Sequence, residues 1–272
     1  MKVSMKSNRI KLVIFDWAGT TIDHGCFAPI SAFIKAFQAC GVELTAAQAR
    51  GPMGLHKQDH IRSLFQLDDI AAQWESKHQR SWSEDDVKQI YETFMPLQIE
   101  EAKQYTELVP HLGDVINQLK ERGIKIGSTT GYPRIVAEPI LQSAREQGYI
   151  PDFSMCADEV PAGRPAPWMI YRNMEALDVY PPSAVIKVGD TVPDIEAGLN
   201  AGTWTVGLTQ TGSEVGLTVA EFAALSPDEQ QQRLQVAETK LKHAGAHFVI
   251  PTLNGLPDII EQIETGEISY GC

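Results

Sequence analysis

The chain has 272 residues, 43% of them hydrophobic and 21% charged. This globular composition supports a sizeable core and excludes a disordered, collagenous or small disulfide-stapled protein. Its 23 Lys and Arg against 35 Asp and Glu give a formal charge of -12, which argues against nucleic acid or an anionic membrane surface as a partner. An anionic substrate must therefore be held by a local cluster of donors working against the overall field.

Lys2, Lys6 and Arg9 precede an apolar run of only Leu12 to Phe15, stopped by Asp16. That is shorter than a signal peptide's hydrophobic region, and no stretch approaches the length of a membrane span. Cys26, Cys40, Cys156 and Cys272 form no CxxC pair and no zinc-type spacing, so they read as reduced thiols of a soluble cytoplasmic protein.

Short apolar runs predict buried parallel strands at Leu12 to Phe15, Ile124 to Ser128, Phe153 to Cys156, Ala184 to Val188, Trp204 to Leu208 and Phe248 to Ile250. Helical patterns fall between them: Leu112 to Arg122, Pro133 to Gln147 and Pro167 to Leu177. The alternation predicts an α/β fold, an open Rossmann-like parallel sheet. From His24 to Tyr105 it breaks off. Pro29 to Ala39 places Ile30, Phe33, Ile34 and Phe37 on one helical face; a helix from Leu55 onward is the condition under which Lys57 and His60 would share a face. Ser83 with Asp86 reads as a capping box before the stripe Ile90, Phe94 and Leu97. The expectation is an inserted all-helical cap domain over residues 24–105, above a core domain of residues 1–23 and 106–272. The Gln- and acid-rich stretch Ser226 to Gln235 reads as a solvated surface helix.

Chemistry-bearing residues recur at the strand ends. The first strand runs into Asp16-Trp17-Ala18-Gly19-Thr20-Thr21, where Asp16 is a candidate nucleophile or metal ligand, or else a turn residue satisfying loop N–H groups. The second ends in Gly127-Ser128-Thr129-Thr130-Gly131-Tyr132, suited to hydrogen-bonding an oxyanion. Gly163-Arg164-Pro165 sets a guanidinium before a helix, and Gly189-Asp190-Thr191-Val192-Pro193-Asp194 sets two carboxylates four apart at a strand-to-helix turn, a donor set suited to magnesium. Each signal alone is weak; the ordered set, each member after a predicted strand, is specific.

At these residues the chain resembles the haloacid dehalogenase superfamily, whose members place an aspartate nucleophile, a Ser or Thr, a basic residue and a carboxylate pair around magnesium. Two departures stand out: the usual second aspartate of the first motif is Ala18, and the usual lysine of the third is Arg164. In that superfamily's phosphatases the missing aspartate protonates the leaving oxygen. Its absence suits cleavage of a carbon–phosphorus bond, whose carbon leaving group needs an electron sink. A lysine Schiff base to a neighbouring aldehyde supplies one, because the electrons of the breaking bond flow into the iminium. Lys57 in Pro52-Met53-Gly54-Leu55-His56-Lys57-Gln58-Asp59-His60 is the candidate, with His60 one turn away on the same helical face and His56 or His60 as proton shuttle. From local sequence alone Lys57 reads first as one more solvated helix lysine; its coincidence with Ala18 overturns that reading.

Together with Ala18, these residues resemble the phosphonoacetaldehyde hydrolase family, a branch of that superfamily, over essentially the whole chain. The resemblance implies Asp16 as nucleophile and Lys57 as Schiff-base lysine. It implies magnesium on Asp16, the Ala18 carbonyl and Asp190, substrate contacts from Thr130, Gly131, Arg164, His60, Met53, Tyr132 and Cys26, and a homodimer through the cap. The implied reaction converts phosphonoacetaldehyde to acetaldehyde and phosphate in 2-aminoethylphosphonate degradation. Two alternatives stay open: a phosphatase or phosphomutase acting on a small monoester, and a catalytically silent binding protein on the same fold.

Overall fold

The computed structural model describes residues 9–266; Lys2, Lys6 and Cys272 lie outside the described residues. Strand β1 (Leu12–Phe15) is followed by five helices, α1 (Phe27–Ala39), α2 (Ala46–Arg50), α3 (Lys57–Phe65), α4 (Asp68–His78) and α5 (Glu84–Ala102). The alternating part runs α6 (Leu112–Glu121), β2 (Lys125–Thr130), α7 (Arg134–Glu146), β3 (Phe153–Cys156), α8 (Trp168–Ala176), β4 (Val185–Gly189), α9 (Val192–Ala201) and β5 (Trp204–Leu208). It closes with α10 (Val219–Ala224), α11 (Pro227–His243), β6 (Phe248–Ile250) and α12 (Leu256–Thr265). All six strands pair in parallel in the order β3-β2-β1-β4-β5-β6. The order turns back at β1, so the crevice beyond the carboxyl ends of β1 and β4 is where such a sheet takes its ligand.

Strand β1 shows why these runs are strands. Val13 and Phe15 join the core cluster shared with α6, α7 and α12, while Leu12 and Ile14 join the one under α8 and α9. Both faces are covered, so the run is continuously apolar instead of alternating. Helices α1 to α5 enclose a separate core, with Phe33, Phe37, Phe65, Phe94 and Trp74 all at most 1% exposed; each such side chain contributes about 1.5–3 kcal/mol by leaving water. This is the helical cap of the Rossmann-like sheet. No helix among the described residues is long and apolar enough to cross a membrane, and Cys26, Cys40 and Cys156 are free thiols.

The structure corrects several details. Helix α3 begins at Lys57, not Leu55: Gly54 has φ +93°, and His56 is extended as the residue before the first turn, so the chain between α2 and α3 turns instead of coiling. In α5 the Ser83–Asp86 capping box is present, but Gln98 fills the buried position beside a half-buried Leu97. Strands β2 and β4 end two and one residues later than expected, carrying Thr130 and Gly189 into the ladder with β3 and β5.

Candidate active site

Asp16 leaves β1 with its backbone still paired to β4, its N–H donating to Val188 O at 2.9 Å. The chain then folds tightly back, the Trp17 carbonyl accepting from the N–H groups of Thr20, Thr21 and Ile22. Trp17 anchors this turn to β2 by donating from Nε1 to Ser128 Oγ at 2.9 Å. Gly19 is required by close approach, since a Cβ there would stand 2.6 Å from Asp190 Oδ2. Asp190, at the end of β4, accepts from Thr20 Oγ1 at 3.3 Å and from the Ser213 N–H at 2.8 Å.

Asp194, on the first turn of α9, divides its oxygens among three donors. Lys187 Nζ lies at 2.7 Å, Thr191 Oγ1 donates at 2.5 Å, and Arg164 Nη1 donates to the same oxygen that faces Lys187. Burial alone would raise this carboxyl, but Arg164 and Lys187 outweigh it and hold Asp194 at about 2. Its task is therefore to fix Arg164, whose Nη1 also reaches Asp16 Oδ1 at 3.0 Å. Asp194→Asn leaves Lys187 buried without its anion and Arg164 with Asp16 as its one remaining carboxylate, and is expected to cost about 3–5 kcal/mol of stability, read as a lower denaturant midpoint; an unchanged midpoint would show that the network is not structural.

Ligand atoms of Asp16, Asp190 and Asp194 lie within 4.8 Å of one another. Lys187 is committed to Asp194 and Arg164 is shared between Asp194 and Asp16, and among the described residues Asp190 has no cationic partner within ion-pair distance. Burial, then the neighbouring charges of Asp16 and Asp194, push Asp190 up to about 8; burial likewise raises Asp16, against the pull of Arg164. Asp16, which shares Arg164 with Asp194, and Asp190, which has no cation of its own, offer buried hard oxygen donors short of positive charge and fit a small divalent cation. Asp194 is spent and would not be one of its ligands.

A small cavity lies between this acidic floor and the cap, lined by Asp16, Ala18, Cys26, Met53, Lys57, Thr130, Gly131, Tyr132 and Arg164. Thr130 Oγ1 accepts from the Tyr132 N–H at 3.1 Å, which bends the end of β2 around the cavity. From the cap side comes Lys57, 5% exposed, its Nζ 5.4 Å from the ring centre of Phe33 and 5.5 Å from that of Tyr132. Burial lowers this amine from 10.5 to about 8, with Arg164 adding to the effect and Cys26 and Asp16 opposing it.

Two expected participants lie elsewhere. His60 does not line the cavity: it is fully buried behind Lys57, stacked on Phe33 at 3.8 Å, with Nε2 on the Ala49 carbonyl at 3.0 Å. Burial, then the charge of Lys57, hold it well below the usual histidine range, so it stays neutral behind the lysine. His56 lines an outer groove with residues 157–166. Sequence reasoning missed Lys187, which looks like any strand residue; only its burial against Asp194 reveals it. It also missed Pro29, Gly54, Leu55 and Thr191 as lining residues, although Gly54, where a Cβ would meet Thr191 Oγ1 at 2.5 Å, carries the glycine signal of close approach.

A strand-end aspartate facing a fixed guanidinium, with a second acidic turn beside it and a cap overhead, defines a hydrolase of the haloacid dehalogenase type. Residues 10–202 match the haloacid dehalogenase-like hydrolase family and residues 161–253 a HAD-hydrolase-like family; the chain belongs to the haloacid dehalogenase-like hydrolases and, within them, to the phosphonoacetaldehyde hydrolase branch. It is 47% identical over 254 residues to the phosphonoacetaldehyde hydrolase of Syntrophobacter fumaroxidans, covering 93% of this chain and 92% of that one. It is 45% identical over 260 residues to a bifunctional phosphonoacetaldehyde hydrolase/aminoethylphosphonate transaminase of Clostridioides difficile, covering 96% of this chain and 41% of that one. Among solved structures, a phosphonoacetaldehyde hydrolase-like protein from Oleispira antarctica superposes with a TM-score of 0.93 at 42% identity, covering 95% and 94% of the two chains.

Proposed function

We propose that this protein hydrolyses the carbon–phosphorus bond of phosphonoacetaldehyde, releasing acetaldehyde and phosphate through a Schiff base on Lys57 and an aspartyl-phosphate on Asp16. The observation that carries the reading is a buried lysine with a lowered amine pKa in the same small cavity as Asp16 and Arg164, with alanine at position 18 where an oxygen leaving group would need an acid.

Lys57 attacks the aldehyde as the neutral amine, the carbonyl oxygen leaves as water, and the iminium that forms draws electrons from the adjacent carbon. Arg164, Thr130 and the Gly131 N–H receive the phosphonate oxygens and turn phosphorus toward Asp16. Asp16 attacks, the carbon departs as an enamine on Lys57, and the pair of electrons ends on nitrogen instead of on a bare carbanion. Water then cleaves the aspartyl-phosphate, and protonation and hydrolysis of the enamine return Lys57. Met53, Tyr132 and Cys26 wall the aldehyde end and keep bulk water out. When bound by Asp16, the Ala18 carbonyl and Asp190, magnesium would offset the repulsion between the Asp16 carboxylate and the phosphonate. Residues 24–105 act as the closing cap on the core of residues 1–23 and 106–272. The cytoplasm and a cap-mediated homodimer belong to the same reading, supported by the family resemblance. The transaminase fused to one relative supports a place in 2-aminoethylphosphonate degradation, after transamination.

The test is acetaldehyde release from phosphonoacetaldehyde, followed with a coupled reductase, with and without magnesium. Magnesium-dependent release is expected; no release from folded protein, or faster phosphate release from simple monoesters, would favour the phosphatase reading. The amine also dictates a pH profile. Only neutral lysine attacks an aldehyde, and with a pKa of about 8 roughly a tenth of it is neutral at pH 7. Borohydride trapping of Lys57 with acetaldehyde should rise about tenfold per pH unit below 7 and level off above about 8. A rise continuing to pH 10 would mean an ordinary, solvated lysine.

A further inference from the structure

The cap and the sheet also meet at a guanidinium that takes no part in this chemistry. Arg50 ends α2 and is half-buried. Its Nη1 donates to Gly25 O at 2.6 Å and Ser213 O at 3.2 Å, and its Nη2 donates to Gly216 O at 3.2 Å. The ring of Phe27 lies 5.2 Å from its Cζ. Among the described residues no carboxylate forms an ion pair with it, so its donors are committed to main-chain carbonyls, a task for a planar fork and not for a lysine's single ammonium. Gly216 makes room for it: φ there is +61°, and a Cβ would stand 2.6 Å from Arg50 Cζ.

The segments that Arg50 grips lead to both halves of the active site. Gly25 lies in the crossing from β1 into the cap, and its N–H donates to Thr211 O at 2.8 Å. Thr211 Oγ1 donates to Gly19 O in the Asp16 turn at 2.6 Å, and the Ser213 N–H holds Asp190 Oδ2 at 2.8 Å. On the cap side the Arg50 carbonyl accepts from the Met53 N–H at 3.0 Å, opening the turn of residues 51–56 that carries Met53, Gly54 and Leu55 into the cavity and delivers Lys57. One side chain thus spans the loop that orients Asp190 and the turn that presents the lysine.

We propose that Arg50 is a positioning residue, a latch that sets the closed separation between Lys57 on the cap and Asp16 and Asp190 on the core. Its effect on turnover rests on the reaction proposed above; its effect on the backbone does not.

Arg50→Gln and Arg50→Lys test it by hydrogen exchange, kcat and KM, and borohydride trapping with acetaldehyde. In both variants peptides covering residues 23–27, 51–56 and 209–216 should exchange at least about tenfold faster, a change equivalent to about 1.4 kcal/mol, while β1 and β4 keep their protection. In both, kcat should fall about tenfold or more with trapping retained, because the lysine stays reactive while its distance from the core is no longer held. Exchange spread evenly over the whole chain, unchanged exchange and kcat in Arg50→Gln, or full rescue by Arg50→Lys would each overturn the latch. If the native protein cleaved no phosphonoacetaldehyde, the exchange arm would still decide the latch, separating its failure from failure of the proposed reaction.

Discussion

Replacing Lys57 by alanine is expected to abolish acetaldehyde release, lowering turnover by about four orders of magnitude or more, and to remove borohydride trapping while leaving the fold intact. The reason lies in what the side chain is and is not tied to. Among the described residues Lys57 has no ion-pair partner, and it sits 5% exposed between two aromatic rings. Burial already disfavours its charged form, so the native state gains little from the amine and loses little when it goes. The reaction loses its electron sink, which water cannot replace inside a closed cavity. Lys57→Arg sharpens the point: the guanidinium keeps the charge but does not deprotonate in this range, so it should be as inactive as alanine. Near-native turnover in Lys57→Ala would sink the Schiff-base mechanism, and persistent trapping would move the imine to another lysine.

Asp16→Ala should give the complementary result: phosphate release falls by about four orders of magnitude or more, but trapping of Lys57 with acetaldehyde persists. Arg164 keeps its contact with Asp194, so the guanidinium is not stranded when its second acceptor disappears. Removing the Asp16 charge also relieves Asp190, one of whose raising influences it is; Asp190 should then titrate below about 8, which NMR of its carboxyl carbon reads directly. A variant that failed to fold would mark Asp16 as a structural carboxylate at a tight turn, and retained phosphate release would transfer the nucleophile's role elsewhere. The two variants together separate the steps, since one keeps imine chemistry and loses phosphoryl transfer while the other loses both.

The alternation of short apolar runs with helical patterns placed the strands to within two residues, because a strand covered on both faces has only apolar positions to show. The four strand-end motifs were legible for a related reason: a parallel sheet brings its carboxyl ends to one edge, so residues far apart in the chain converge wherever each follows its strand. The turn before α3 was not legible, since glycine at positive φ and an extended His56 override helical spacing. The place of His60 was also hidden. Residues three apart do share a helical face, but one side chain points into the cavity and the other stacks behind it on Phe33, a choice made by the packing of α1.

By itself, then, the sequence determined the sheet order's chemistry-bearing edge, the helical insertion and the identity of Asp16, Arg164 and Asp190 as the residues to watch, since these follow from local pattern and chain order; Lys57 joined them only through the missing aspartate at Ala18 and the family resemblance. Tertiary structure alone decided which carboxylate is free and which is spent. Asp190 and Asp194 look alike as a pair four apart, but of these two Lys187 and Arg164 reach Asp194 alone. Tertiary packing decided that Lys57 lies buried in the cavity with a lowered amine pKa and not in solvent, and that Arg50 joins cap to core. Charge balance in a desolvated space depends on every neighbour within a few ångströms, and those neighbours come from segments that no local window contains.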